Sequence, residues 1–149
     1  MTVIDKTAPS QTDALTFELD LKHAPEKVWR ALTDPALLAA WLLPVAEGQL
    51  APGAAFKFQT QPYPGWDGIV HCRVLEIEAQ RKLRYTWVVG EMLDTVVTFT
   101  LTPTATGTHL LLVQSGFKPE QKQNFGGARY GWNMMGGKLL DVLVRLEAT

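Results

Sequence analysis

The chain has little of what many enzymes and nucleic-acid binders are built on. Only one of its 149 residues is a cysteine, Cys72, so no internal disulfide can form and a reducing, cytoplasmic setting is expected. The serines are Ser10 and Ser115 alone. Ser10 sits in a polar stretch, and Ser115, in Gln114-Ser115-Gly116, lacks the first glycine of a nucleophile elbow. The histidines His23, His71 and His109 are too scattered for a zinc set, and His71 and Cys72, neighbours on a strand, face opposite ways. No metal site and no cofactor is therefore expected. Charges nearly cancel, with 14 Lys+Arg against 15 Asp+Glu, so the basic excess of a nucleic-acid binder is missing. No apolar run reaches the roughly 18 residues of a membrane span, and residues 1–13 are polar, unlike a signal peptide.

What is present is periodic. Residues 1–13 show no pattern and read as a flexible tail, leaving residues 14–149 as a single domain. From Ala14 the chain alternates: Leu15, Phe17, Leu19 and Leu21 point one way, Thr16, Glu18, Asp20 and Lys22 the other, as in a half-buried strand. Pro25 opens a helix to Thr33, with Val28, Trp29 and Leu32 at helical spacing. Asp34 as N-cap and Pro35 at the first helical position then start a second short helix through Leu37, Leu38 and Trp41. From Pro44 to Phe117 the pattern is β. Phe56 and Phe58 alternate with Lys57 and Gln59, and residues 61–65 form a proline-rich loop. Strands follow at about Gly68–Glu78, Lys82–Val89, Thr95–Thr102 and Thr108–Ser115. Their short connections predict an antiparallel meander. From Pro119 the chain is helical, with Phe125, Ala128, Trp132, Met135, Leu139, Val142 and Leu146 forming one apolar stripe. Gly126, Gly127, Gly131, Gly136 and Gly137 are unusual there, each costing roughly 1 kcal/mol relative to Ala. Either the helix begins near Gly127 or the glycines make room for something packed against it. The whole is an α+β domain: a curved antiparallel sheet, two short helices after the first strand, and a long C-terminal helix, the helix-grip order.

Two patterns resemble chemistry and fall short of it. Gly131-Trp-Asn-Met-Met-Gly-Gly-Lys138 has a superficial likeness to a phosphate loop, but has Leu139 where a Ser or Thr must hold the metal, and no strand before it. Glu76 and Glu78 share a strand face and read as solvent-facing carboxylates near a strand end. Glu91 and Asp94 read as carboxylates of a turn. No catalytic residue is assigned.

The informative inventory is aromatic. The chain holds five Trp, three Tyr, six Phe and four Met. Trp29, Phe17 and Phe99 fit ordinary core packing. Trp and Tyr also carry polar atoms that need partners, and their concentration on inward sheet faces suits the wall of an apolar pocket. Methionines on the last helix would make one side of that wall adaptable.

The run Val28-Trp-Arg-Ala-Leu-Thr-Asp-Pro35, followed by Trp41, resembles the opening of the domains named after the activator of the Hsp90 ATPase, within the START/Bet v 1-like superfamily. Leu83-Arg-Tyr-Thr-Trp87, Val97-Thr-Phe-Thr-Leu101, Gly107 to Phe117 and Gly131-Trp132 agree in order, so the resemblance extends from about Leu15 to Leu146. It implies the helix-grip fold, with a cavity between sheet and C-terminal helix that in many relatives holds lipids, polyketides or flavonoid-like molecules. Carried over by position, the cavity wall is Trp41, Phe56, Phe58, Val70, Cys72, Tyr85, Trp87, Phe99, Leu112, Trp132 and Met135. Relatives often have His where this chain has Gln114, so an acid or base role for that imidazole is lost here.

The expected function is binding of a small apolar molecule, with Tyr85, Gln114 and Tyr130 as the polar groups that orient it. One alternative is an accessory to an Hsp90-type chaperone. Another is a cofactor-free cyclase or dehydratase acting on a polyketide-like substrate, for which Tyr85, His71 and Asp94 are the titratable candidates. Exposed sheet edges or the Pro62–Trp66 loop offer a route to a homodimer, which the sequence leaves open.

Overall fold

A computed structural model describes residues 3–8, 10, 12–62, 64 and 66–147. Tyr63 and Gly65 of the proline-rich loop lie outside the described residues, as do Met1, Thr2, Pro9 and Gln11 of the N-terminal stretch.

The alternation from Ala14 forms strand β2 (Ala14–Leu21), whose Leu15, Phe17, Leu19 and Leu21 are all buried. Helices α1 (Pro25–Thr33) and α2 (Pro35–Trp41) follow. Asp34 serves both: its backbone N–H closes α1 on the Arg30 carbonyl, and its carboxylate accepts from the Ala36 N–H at 3.0 Å to start α2. Pro35 suits this junction because the first helical N–H has no intrahelical acceptor.

The β region comprises β3 (Val45–Gly48), β4 (Ala55–Gln59), β5 (Ile69–Glu78), β6 (Lys82–Val89), β7 (Leu93–Pro103) and β8 (Thr108–Ser115). A 3₁₀ turn at Pro119–Gln121 leads into α3 (Lys122–Glu147). With β1 (Val3–Asp5) the strands form one antiparallel sheet in the order β1-β2-β8-β7-β6-β5-β4-β3. The β7–β8 hairpin presses onto the end of β2. The Thr108 hydroxyl donates to the His23 carbonyl at 2.7 Å, and a Cβ on Gly107 would lie 2.0 Å from the Leu21 carbonyl oxygen. Only glycine fits that approach.

Three features depart from the periodic reading. Residues 3–5, expected in a flexible tail, are an edge strand pairing Val3 with Leu19 and Asp5 with Phe17. Arg129 on α3 donates to the Asp5 carboxylate, and Val3 packs against Gly136. Short β3 occupies the other edge, with a register shift between Val45 and Glu47. A bulge in β5 shifts its register between Val74 and Glu76, leaving Leu75 exposed and placing Ile77 opposite inward-facing Leu83. Such an extra residue sharpens the local twist, which helps the sheet curl around α3. Glu76 and Glu78 end on the outer side, where they meet Lys82 and Arg81 at 3.4 and 3.9 Å.

Helix α3 runs unbroken through its glycines, so it does not begin at Gly127. Its C-terminal half, with Leu139, Val142 and Leu143 buried, packs on α1, α2, β1 and β2. Sheet and helix thus form the helix-grip, Bet v 1-like arrangement.

Candidate functional site

Under the N-terminal half of α3 the sheet and helix separate, leaving an open cleft of about 590 Å³. One wall is the β6–β7 hairpin with Trp87, Val89, Met92 and Leu93, and Gln114 of β8 lies beside it. The helix supplies Gln123, Asn124, Gly127, Ala128, Gly131, Trp132 and Met135, and Trp66 closes the site from the loop before β5. None of these side chains is ionisable.

Each wall is held by a bond that can be traced to its sequence. The Gln121 amide donates to the Met92 carbonyl at 2.5 Å and accepts from the Lys118 N–H at 2.8 Å, tying the start of α3 to the hairpin tip. Phe125 meets Phe117 edge to face at 5.1 Å between ring centres. The Trp66 indole N–H donates to the Ile69 carbonyl at 3.0 Å, which keeps an apolar ring folded back onto the protein.

At the inner end lies a directed chain of hydrogen bonds. The Trp132 indole N–H donates to Gln114 Oε1 at 2.7 Å, the Gln114 amide donates to the Thr95 hydroxyl at 2.9 Å, and that hydroxyl donates to the Trp87 carbonyl at 2.8 Å. Indole nitrogen is only a donor, so it dictates which end of the Gln114 amide faces it. The ring of Trp132 also packs against Trp87 at 5.6 Å and Phe99 at 6.3 Å. Gln114 is 1% exposed, so every bond it forms is made away from water, where losing one is expensive.

Of the residues expected to line a cavity, the cleft brings together Trp87, Gln114, Trp132 and Met135. Trp41, Phe56, Phe58, Val70, Cys72, Tyr85, Phe99 and Leu112 are instead in the packed core. Their rings interlock: Tyr85 lies 5.2 Å from Phe56, 6.3 Å from Phe58 and 6.1 Å from Phe99, and Trp41 lies 6.3 Å from Phe99. The Trp41 indole is satisfied by the Ala31 carbonyl at 2.7 Å. Tyr130 is 72% exposed on the outer side of α3 and does not orient anything in the cleft. Trp66, the hairpin residues Val89, Met92 and Leu93, and Gln123, Asn124, Gly127 and Gly131 of α3 are additions to the expected wall; for the helix residues the cluster of glycines was the visible signal.

The titratable candidates lie elsewhere. His71 and Asp94 are exposed, and His71 borders a second hollow, of about 430 Å³, with Lys57, Arg73 and Thr86; Phe56 and Cys72, though in the core, also reach its lining. The Tyr85 hydroxyl is buried without a hydrogen-bond partner among the described residues, and burial, with Cys72 nearby, pushes its pKa well above the ordinary phenol value. Burial likewise pushes the Cys72 thiol far up, leaving it protonated and inert. Among the described residues no group of three or more His, Cys, Asp or Glu could hold a metal ion, and no helix is long and apolar enough to cross a membrane.

Solved structures share this architecture. Protein MLL2253 from Mesorhizobium loti is 42% identical, with a TM-score of 0.81 over 89% of this chain and 97% of that one. CalU16 from Micromonospora echinospora is 22% identical, with a TM-score of 0.72 over 95% and 83%. DynU16, described as belonging to the dynemicin biosynthetic locus, is 22% identical with a TM-score of 0.74; the match covers 89% of this chain and 48% of that one. The last two show the fold alone. No curated protein matches the chain. The family model for Activator of Hsp90 ATPase homolog 1-like protein matches residues 22–144, and the chain belongs to that family.

Proposed function

We propose that the chain binds a small, uncharged, predominantly apolar molecule of lipid-, polyketide- or flavonoid-like character between the N-terminal half of α3 and β6–β8. The observation that carries this reading is the cleft of about 590 Å³ walled by Trp66, Trp87 and Trp132, with no ionisable side chain on it among the described residues. Its size falls in the range of roughly 300–1,000 Å³ of small-molecule sites, which pair apolar walls with a few polar groups that orient the ligand. Gln114 is the main orienting group. One of its two Nε2 hydrogens goes to Thr95, and the other is available to an acceptor on the ligand.

Intrinsic Trp fluorescence tests the reading directly, because three of the five indoles wall the cleft. Titration with 2-acetylnaphthalene, flavone and 1-decanol is expected to give saturable changes for at least one, lost in Trp87→Ala and Trp132→Ala variants that remain folded by circular dichroism. No saturable change with any of them overturns it.

A second reading, an accessory to an Hsp90-type chaperone, draws on the family's name and on Tyr130 and Met134. These side chains are 72% and 46% exposed one turn apart on α3, the beginning of an apolar surface of the kind that larger protein-contact patches extend. Stimulation of a chaperone ATPase by the purified protein, abolished in Tyr130→Ser/Met134→Ser, would establish it.

A further inference from the structure

We infer that Gly127 and Gly131 determine what the cleft accepts: the side chains missing there are volume that the ring system of a bound ligand fills. The inference rests on the binding reading above and goes beyond it by naming the two residues that set ligand shape. Both lie on the cleft, one helical turn apart, with Ala128 between them. A Cβ built on either meets, beyond its chain neighbours and the helix's own adjoining backbone, no atom of the described residues within 4 Å.

Packing within the protein does not explain these glycines. Gly136 has such an explanation, since a Cβ there would come within 2.5 Å of Val3 Cγ2. Neither Gly127 nor Gly131 has a positive φ or a close neighbour that forbids a side chain. Each weakens the helix compared with alanine, because glycine gives up more backbone freedom on folding. Two such weaknesses on one turn border the open cleft that Trp66, Trp87 and Trp132 also line, so bare helix backbone forms part of its wall. Such a wall suits an uncharged ring system: indole faces gain from ring contact, the missing side chains permit close approach to the helix, and no side chain lining the cleft among the described residues would neutralise a carboxylate. Gln114, 1% exposed and bordering the same cleft, has a second amide N–H not used within the described residues, a donor suited to a ligand carbonyl or ether oxygen.

Gly126 supplies the internal control. It is exposed, has equally open surroundings, and is not on the cleft. Gly126→Ala, Gly127→Ala and Gly131→Ala are each expected to raise the thermal midpoint by about 2–4 °C, as removal of a helix glycine without a clash should in a chain this size. Binding separates them. For 2-acetylnaphthalene, followed by Trp fluorescence and calorimetry, Gly127→Ala and Gly131→Ala are expected to raise Kd at least tenfold. Gly126→Ala should leave Kd unchanged, and 2-naphthoate, the same ring system bearing a carboxylate, should bind wild type at least tenfold more weakly. Unchanged Kd for 2-acetylnaphthalene in both cleft variants overturns the inference while leaving the binding reading intact. So does wild type that takes 1-decanol but not 2-acetylnaphthalene. A lowered thermal midpoint in either cleft variant also overturns it, by showing that the space at the glycine is not free. Failure of every probe on wild type overturns the binding reading itself.

Discussion

Trp132 on the C-terminal helix and Gln114 on the last strand are joined by a single buried hydrogen bond of 2.7 Å, and it is there that the helix meets the sheet at the inner end of the cleft. The same amide is fixed on its other side by Thr95, which is in turn fixed by the Trp87 carbonyl. The bond therefore sets both the spacing of helix and sheet and the orientation of the Gln114 amide.

Replacing Gln114 with Leu strands the Trp132 N–H without an acceptor in a buried setting. An unpaired buried polar group costs about 1–3 kcal/mol, so urea denaturation should show a loss of that order. Trp132→Phe in the Gln114→Leu background removes the stranded donor and should recover part of it. Equal or lower stability in the double variant would contradict the assignment.

Tyr85→Phe should act in the opposite sense. The Tyr85 side chain is 0% exposed and its hydroxyl has no partner among the described residues, so deleting the oxygen removes an unpaid desolvation cost without opening a sizeable cavity. Stability is expected to stay level or rise by about 1 kcal/mol. A loss above that amount would reveal a hydrogen bond to water at this hydroxyl.

Gly136 and Val3 should be coupled with a change of sign. In wild type, Gly136→Ala gains helix propensity but drives a methyl group into Val3 Cγ2, and β-branched Val3 has little freedom to turn away. With Val3→Ala in place the clash is gone, and Gly136→Ala should stabilise by about 1 kcal/mol. A double-mutant cycle by thermal denaturation reads the difference; additive effects would mean that the contact does not constrain the helix.

The Asp5–Arg129 pair gives a pH signature. Burial raises the Asp5 carboxyl pKa, but hydrogen bonds from Arg129 and Thr7, with the Arg129 charge, outweigh it and hold the group below its ordinary value of 3.8. A carboxyl depressed on folding contributes stability that is fully present above the unfolded value and is lost as pH falls through the folded one. The Arg129→Met variant should thus melt lower than wild type at pH 7, and the gap should close as pH drops below 3.8. A gap independent of pH would assign the effect to packing of the arginine stem.

Cys72 should be silent towards thiol reagents in the folded protein. It is buried and its thiol is held protonated, so labelling by a disulfide reagent at pH 8 should follow the rate of opening rather than the reagent concentration. Rapid, second-order labelling would place the sulfur at an accessible surface.

Much of the architecture was legible because it rests on local rules. Alternation in β2, β6, β7 and β8 and the Asp34-Pro35 junction each satisfy a period or a cap that neighbouring residues announce. What was hidden depends on distant partners. Val3 and Asp5 form a strand because Gly136 and Arg129, far along the chain, receive them. The extra residue in β5 inverts the facing of Ile77, which no run of hydrophobicity reports. At the site, Trp87, Trp132 and Met135 came from the cavity wall that the family resemblance implies, and Gln114 from the position where relatives carry His; strand parity and the helical stripe are consistent with them. Most of the remaining expected wall went into solid packing, because Phe56, Phe58, Tyr85 and Phe99 fill one another's space. The outward placement of Tyr130 is helical arithmetic: two residues from Trp132 is about 200° around the axis. The hairpin tip and Trp66 joined the site through where the helix parts from the sheet, a property of tertiary geometry alone.

Helix α3 is anchored unevenly. Beyond Trp132 it is bedded on α1, α2, β1 and β2, while its opening turns are moored by the Gln121–Met92 bond and the Phe117–Phe125 ring contact. The two halves of the helix therefore carry different loads: the C-terminal half, with Leu139, Val142 and Leu143, closes the core, and the N-terminal half borders the open cleft. A substitution at those three buried residues is felt by the whole fold, whereas one at Gly127 or Gly131 is felt first where the helix stands off the sheet.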